Sequence, residues 1–130
     1  MAENIIMDEM DATIDILGST WYIRFESRGE NPAFQGDLCF GYAEDCERVI
    51  VLCKPYEDSD PLSVGIVAQR INLQRVLRHE IIHAFLSESG LADSSNSTGE
   101  DGWAVNEEMV DWFARMSPKI FKVYKELQIL

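Results

Sequence analysis

His79-Glu80-Ile81-Ile82-His83 reads H-E-x-x-H. It lies in a stretch, from about residue 62 or 66 to residue 89, where Leu73, Leu77, Ile81 and Ala84 recur at helical spacing. A proline at 61 after Ser59-Asp60 is a helix-start signal, and Gly90 is a suitable stop. On a helix, residues four apart stand one above the other on one face. His79 and His83 can therefore share one Zn²⁺ ion, at bond lengths of about 2.0–2.1 Å. Glu80 is one residue on, about 100° around the helix. That offset keeps its carboxylate off the metal but within reach of a water beside it, the position of a general base. The chain has only two histidines, and both are in this motif.

A catalytic zinc site takes a third protein ligand and leaves one position open. Downstream the chain reads Asn106-Glu107-Glu108-Met109-Val110-Asp111-Trp112-Phe113-Ala114. On a helix Glu107, Val110, Asp111 and Ala114 share a face. Glu107 is the expected third ligand, with Glu108 the alternative. Val110 and Ala114 are small enough to let this helix approach the first. Asp111 is placed to accept the outer N–H of a ligand histidine, which would fix its tautomer and raise its basicity.

The chain changes character once, near Pro61. Residues 13–17 and 20–26 read as strands, with Gly18 as a turn or bulge between them. Trp21, Ile23 and Phe25 alternate with Tyr22, Arg24 and Glu26, the period of a half-buried strand. Residues 38–42 and 48–53 read as two more strands joined by a hairpin, and residues 3–11 as a short helix. Residues 92–102, rich in Asp, Ser, Asn, Gly and Thr, read as a loop, with Ser94 to Thr98 a possible lid. Helices follow over about 104–116 and, restarted by Ser117-Pro118, about 118–128, where Ile120, Val123, Tyr124 and Leu127 line one face. The expected architecture is α+β. A small, mostly antiparallel sheet over residues ~13–53 packs on the helix at ~62–89 and on the C-terminal helices. Residues 1–130 make one domain, long enough to bury a core without disulfides. Trp103 and Trp112 are expected to be packing residues.

Composition narrows the function classes. The net charge is −12. Phosphate binding needs clustered Lys and Arg, so a nucleic-acid partner is not expected, nor is an anionic membrane surface. No apolar run approaches the roughly 18 residues of a membrane span, and the first residues do not resemble a signal peptide. Cys39, Cys46 and Cys53 cannot all pair within the chain and form no C-x-x-C. They read as small hydrophobes in or beside strands, in a reducing, cytoplasmic setting.

H-E-x-x-H followed by N-E-x-x-x-D on a later helix resembles the gluzincin metallopeptidases. The second stretch is also similar to the E-x-x-A-N-x-F-A motif of the ImmA/IrrE-type peptidases of bacteria and phages. At those positions the chain has Glu107, Val110, Asp111, Phe113 and Ala114. Both registers put the third ligand at Glu107. Asp111 matches the gluzincin form and departs from the Asn of the other. The resemblance implies a zincin-like fold, one Zn²⁺ per chain held by His79, His83 and Glu107, and peptide-bond hydrolysis with Glu80 as general base. An edge strand, expected at residues 38–42, would hold an extended peptide or protein substrate by main-chain hydrogen bonds. Larger gluzincins carry a His or Tyr that stabilises the oxyanion. Here no third histidine exists, and Tyr42, Tyr56, Tyr124 and Arg115 are the remaining donors. The alternative function is a zinc-containing peptide- or protein-binding module with little or no catalysis; hydrolysis of a non-peptide amide is a narrower one. Substrate specificity and oligomeric state are not legible.

Overall fold

The computed structural model describes residues 4–35, 39–55, 65–94 and 102–130. The elements, in chain order, are α1 (Ile5–Asp8), β1 (Ala12–Ile16), β2 (Ser19–Glu26), β3 (Gly41–Glu44), β4 (Val49–Cys53), α2 (Ile66–Glu88), α3 (Leu91–Ser94) and α4 (Glu107–Glu126). Single 3-10 turns lie at Pro32–Phe34 and Trp103–Val105. The α+β reading holds. The expected helix over 3–11 shrinks to four residues, because Glu9 takes a left-handed φ of 50° and its N–H closes back on the Ile5 carbonyl.

The sheet has the order β1-β2-β4-β3. β1 pairs antiparallel with β2 from Ala12↔Ile23 to Ile16↔Ser19, and β3 antiparallel with β4 from Gly41↔Leu52 to Glu44↔Val49. The central pair, β2 with β4, is parallel, from Tyr22↔Val49 to Glu26↔Cys53. The sheet is therefore mixed. Leu17 (φ 52°) and Gly18 (φ 91°) form the two-residue turn between β1 and β2. Two positive φ values match the primed turns that fit the twist of a hairpin, so Gly18 marks a turn and not a bulge.

The alternation read in β2 is realised: Trp21, Ile23 and Phe25 are buried, while Tyr22 and Arg24 face water. With Ile16, Ile50, Leu52, Leu73, Val76 and Ala84 they form the core between the sheet and α2. Of the stripe read on α2, Leu73 and Ala84 are buried, and Leu77 and Ile81 pack at the margin. β4 is buried along its whole length, because Val49, Val51 and Cys53 pack on the other face against Phe34, Tyr42 and Cys39. The cysteines are free: Cys53 buried, Cys39 intermediate and Cys46 exposed in the β3–β4 turn. Burial pushes the Cys53 thiol up, as for a small hydrophobe.

The Glu88 carboxylate ties the end of α2 to the sheet. It accepts from Trp21 Nε1 at 2.8 Å, Ser19 Oγ at 3.1 Å and Arg48 Nε at 2.5 Å. The bond from Arg48, then that from Trp21, hold the Glu88 carboxyl below the usual carboxylate range. A lowered folded-state pKa adds stability that is present above the unfolded-state value and lost as pH falls through the folded one. Thermal unfolding between about pH 6 and pH 3 is expected to show a falling midpoint, with a shallower fall in Glu88→Gln. Equal slopes would remove Glu88 from the acid response.

Past Ala104 the expectations change most. The helices expected at 104–116 and 118–128 are one helix, α4, with Pro118 inside it. Its start is set by Asn106, whose side chain accepts from the Met109 N–H at 2.8 Å, the bond of an N-cap. Val110 and Ala114 are fully buried, as expected of the face that meets α2. The stripe at Ile120, Val123, Tyr124 and Leu127 is not core: Leu127 is 64% exposed and Val123 49%. Trp103 and Trp112 are also more than half exposed, so the packing role read for them fails. The lid stretch at 95–98, the helix start at 59–61, and residues 62–64 of the long helix lie outside the described residues. No helix among the described residues is long and apolar enough to cross a membrane.

Candidate metal centre

α2 lies between the sheet and α4, and the H-E-x-x-H residues occupy its middle. His79 Nε2 stands 3.1 Å from His83 Nε2 and 2.9 Å from Glu107 Oε2. His83 Nε2 stands 3.3 Å from the same Glu107 oxygen and 3.1 Å from Oε1. A tetrahedral ion with bonds of about 2.0–2.1 Å separates its ligand atoms by about 3.3 Å. The spacings of the three donors are close to the edges of such a tetrahedron. Two imidazole nitrogens and a carboxylate oxygen are also a common zinc donor set. The residues therefore fit a zinc ion on both chemistry and distance. The two histidine side chains are mostly covered, whereas that of Glu107 is 70% exposed, so the cluster opens to solvent on one side. Among the described residues one other group has ligand-like spacing, Glu44, Asp45 and Cys46 in the exposed hairpin turn.

The choice between Glu107 and Glu108 follows from α4's first turn. Glu107 lies in the cleft with Glu80 and His83. Glu108 faces a separate surface hollow with Trp103, Asn106, Met109 and Trp112. Both acids favour the helix start, where the peptide dipoles present partial positive charge.

Asp111 reaches the outer nitrogen of His79, but at 3.5 Å, long for a hydrogen bond. Its short contacts are to arginines: Oδ1 to Arg75 at 2.7 Å and Oδ2 to Arg115 at 2.7 Å. The Arg115 bond first, with the charges of Arg115 and Arg75, holds its carboxyl below the usual range. Arg75 is a site neighbour that motif reading missed. Its signal was present, since Arg75 and His79 are four apart on the helix face that meets Asp111.

Among the described residues Glu80 is the one nearly buried carboxylate, 8% exposed, beneath the edge strand. Burial is the largest effect and raises its pKa, while His79 and His83 pull it down. The Ala43 backbone N–H also pulls it down. The edge strand explains that influence. Cys53 N–H donates to Phe40 C=O at 2.8 Å, so residues 40, 42 and 44 point their backbone groups at β4. Gly41 and Ala43 therefore point theirs out from the free edge. The edge strand is β3 at 41–44, not 38–42; Leu38 lies outside the described residues, and strand pairing begins at Gly41↔Leu52. Gly41 lets the strand sit close on α2, because a Cβ there would lie 2.7 Å from Val76 Cγ1. Trp21, Gly41, Tyr42, Ala43, Ala104 and Val105 are among the other residues that line the cleft.

The expected oxyanion donors are not gathered. The Tyr42 hydroxyl is held by Asn31 Nδ2 at 3.0 Å and its ring lies against Phe34. Arg115 lines a separate groove with Arg75 and Arg78, and its Nε donates to Asp111. Tyr124 is exposed beside Phe121, and Tyr56 lies outside the described residues.

The chain has no significant match among family models, curated proteins or solved structures.

Proposed function

We propose that this chain is a minimal, zincin-like zinc metallopeptidase that hydrolyses peptide bonds. The carrying observation is the triangle of His79 Nε2, His83 Nε2 and Glu107 Oε2 with sides of 2.9–3.3 Å, set beside a buried glutamate and an edge strand. His79, His83 and Glu107 hold the ion, and Asp111 backs His79. Zinc in such a site polarises a carbonyl and lowers the pKa of a water. Glu80 takes the proton of the attacking water and hands it to the departing amine. The outward N–H and C=O groups of Gly41 and Ala43 bind an extended peptide as an added strand.

One observation favours a second reading, a zinc-containing module that binds peptides with little or no cleavage. Among the described residues, none of the expected donors stands ready for an oxyanion, and loss of such a donor typically costs about 10²–10³ in rate. Both readings require the metal. After purification without added metal, elemental analysis is expected to find about one zinc per wild-type chain. Glu107→Ala is expected to hold it about 10-fold or more weakly. Cleavage of a broad peptide library, stopped by a chelator and restored by zinc, then separates peptidase from binder. Failure of the wild type to take up zinc on reconstitution would sink both.

A further inference from the structure

Pro118 breaks a rule of helix interiors, and α4 continues through it. Proline has no N–H to give the carbonyl four residues back, so Ala114 C=O lacks that partner. Ala114 is fully buried, which makes an unpaired carbonyl there costly. The bond comes from the neighbouring helix: Arg78 Nε donates to Ala114 O at 2.6 Å.

The consequence concerns register. In a helix without the proline, this carbonyl would be satisfied at any position of α4 along α2. With Pro118 present, it is satisfied where Arg78 meets it. Arg78 immediately precedes His79, and Ala114 lies two turns beyond Glu107 on the same face. A slip of α4 by one turn would carry Glu107 about 5.4 Å along the axis, away from both histidines. Another cross-helix tie, Arg75 to Asp111, joins two flexible side chains that are 25% and 32% exposed. The Arg78 tie grips the backbone of a buried residue and is the stiffer one.

We infer that Arg78 is a positioning residue for the metal site: paired with Pro118, it keys the register of α4 on α2 that holds Glu107 against His79 and His83. The inference rests on the zinc-site reading and not on peptide hydrolysis.

The test uses four full-length chains: wild type, Arg78→Ala, Pro118→Ala and the double variant. Three readouts are taken: the thermal midpoint without metal, the zinc Kd by competition with a chromophoric chelator, and the visible spectrum of the cobalt(II)-loaded protein. Arg78→Ala is expected to lower the midpoint and weaken zinc about 10-fold. Pro118→Ala restores an N–H to the Ala114 carbonyl, so the double variant should recover the metal-free midpoint. Its zinc Kd should remain about 10-fold weaker than wild type, with an altered cobalt spectrum, because only the looser Arg75–Asp111 tie and apolar packing then hold the register. Recovery of midpoint, Kd and spectrum together would overturn the inference, since Arg78 would then only satisfy a carbonyl. Wild-type affinity in Arg78→Ala would overturn it as well. A wild type that binds neither metal overturns the zinc site itself, and the inference with it, a result distinct from the other two.

Discussion

Glu80→Gln is expected to abolish measurable peptide hydrolysis and leave zinc bound. The amide has the shape of the carboxylate, so the packing around this nearly buried side chain is kept. What it loses is proton affinity. A positioned general base contributes about 10²–10⁴ in rate, and kcat should fall by that factor. The side chain lies beside the ligand cluster but is not one of its three donors. Zinc content should therefore match wild type. The variant should also be at least as stable, because the residue is 8% exposed and a neutral amide is easier to bury than a charge. Turnover, elemental analysis and a melting curve on the same preparation check all three. Undiminished turnover would end Glu80's role, and lost zinc would place it among the ligands.

Trp21→Ala should cost more stability than any other single change proposed. Trp21 is fully buried near the start of β2, in the core between sheet and α2. Its indole N–H also donates to Glu88. Truncating a buried tryptophan costs about 3–5 kcal/mol, against a total of about 5–15 for a domain. For a chain of this length the midpoint should fall by about 10–25 °C. Trp21→Phe keeps most of the apolar volume but drops the N–H, so it should sit between the two. Calorimetry of the three chains gives the order. A fall of only a few degrees in Trp21→Ala would mean that the core is not centred on β2.

The same residues show why parts of the site were legible in the sequence. H-E-x-x-H works within a single helix. The i,i+4 geometry that pairs His79 with His83, and the offset that turns Glu80 away, are properties of one helix and need no tertiary information. Glu107 was half legible: its place on a face with Val110, Asp111 and Ala114 could be read. Its preference over Glu108 depended on where α4 starts, and that was set by the Asn106 cap two residues after the expected start.

Local pattern also determined the alternation of β2, the buried face of α2 and the division into a strand half and a helix half. These follow from side-chain periodicity, which is written along the chain. The parallel pairing of β2 with β4 and the exposure of Trp103, Trp112 and the end of α4 were decided by tertiary structure. Pairing partners and burial depend on residues distant in the sequence, and no short-range period encodes them. Pro118 is the clearest case. By itself it signals a break between two helices. The helix runs on with Arg78, thirty-six residues before Ala114 in the chain, supplying the hydrogen bond that proline removes.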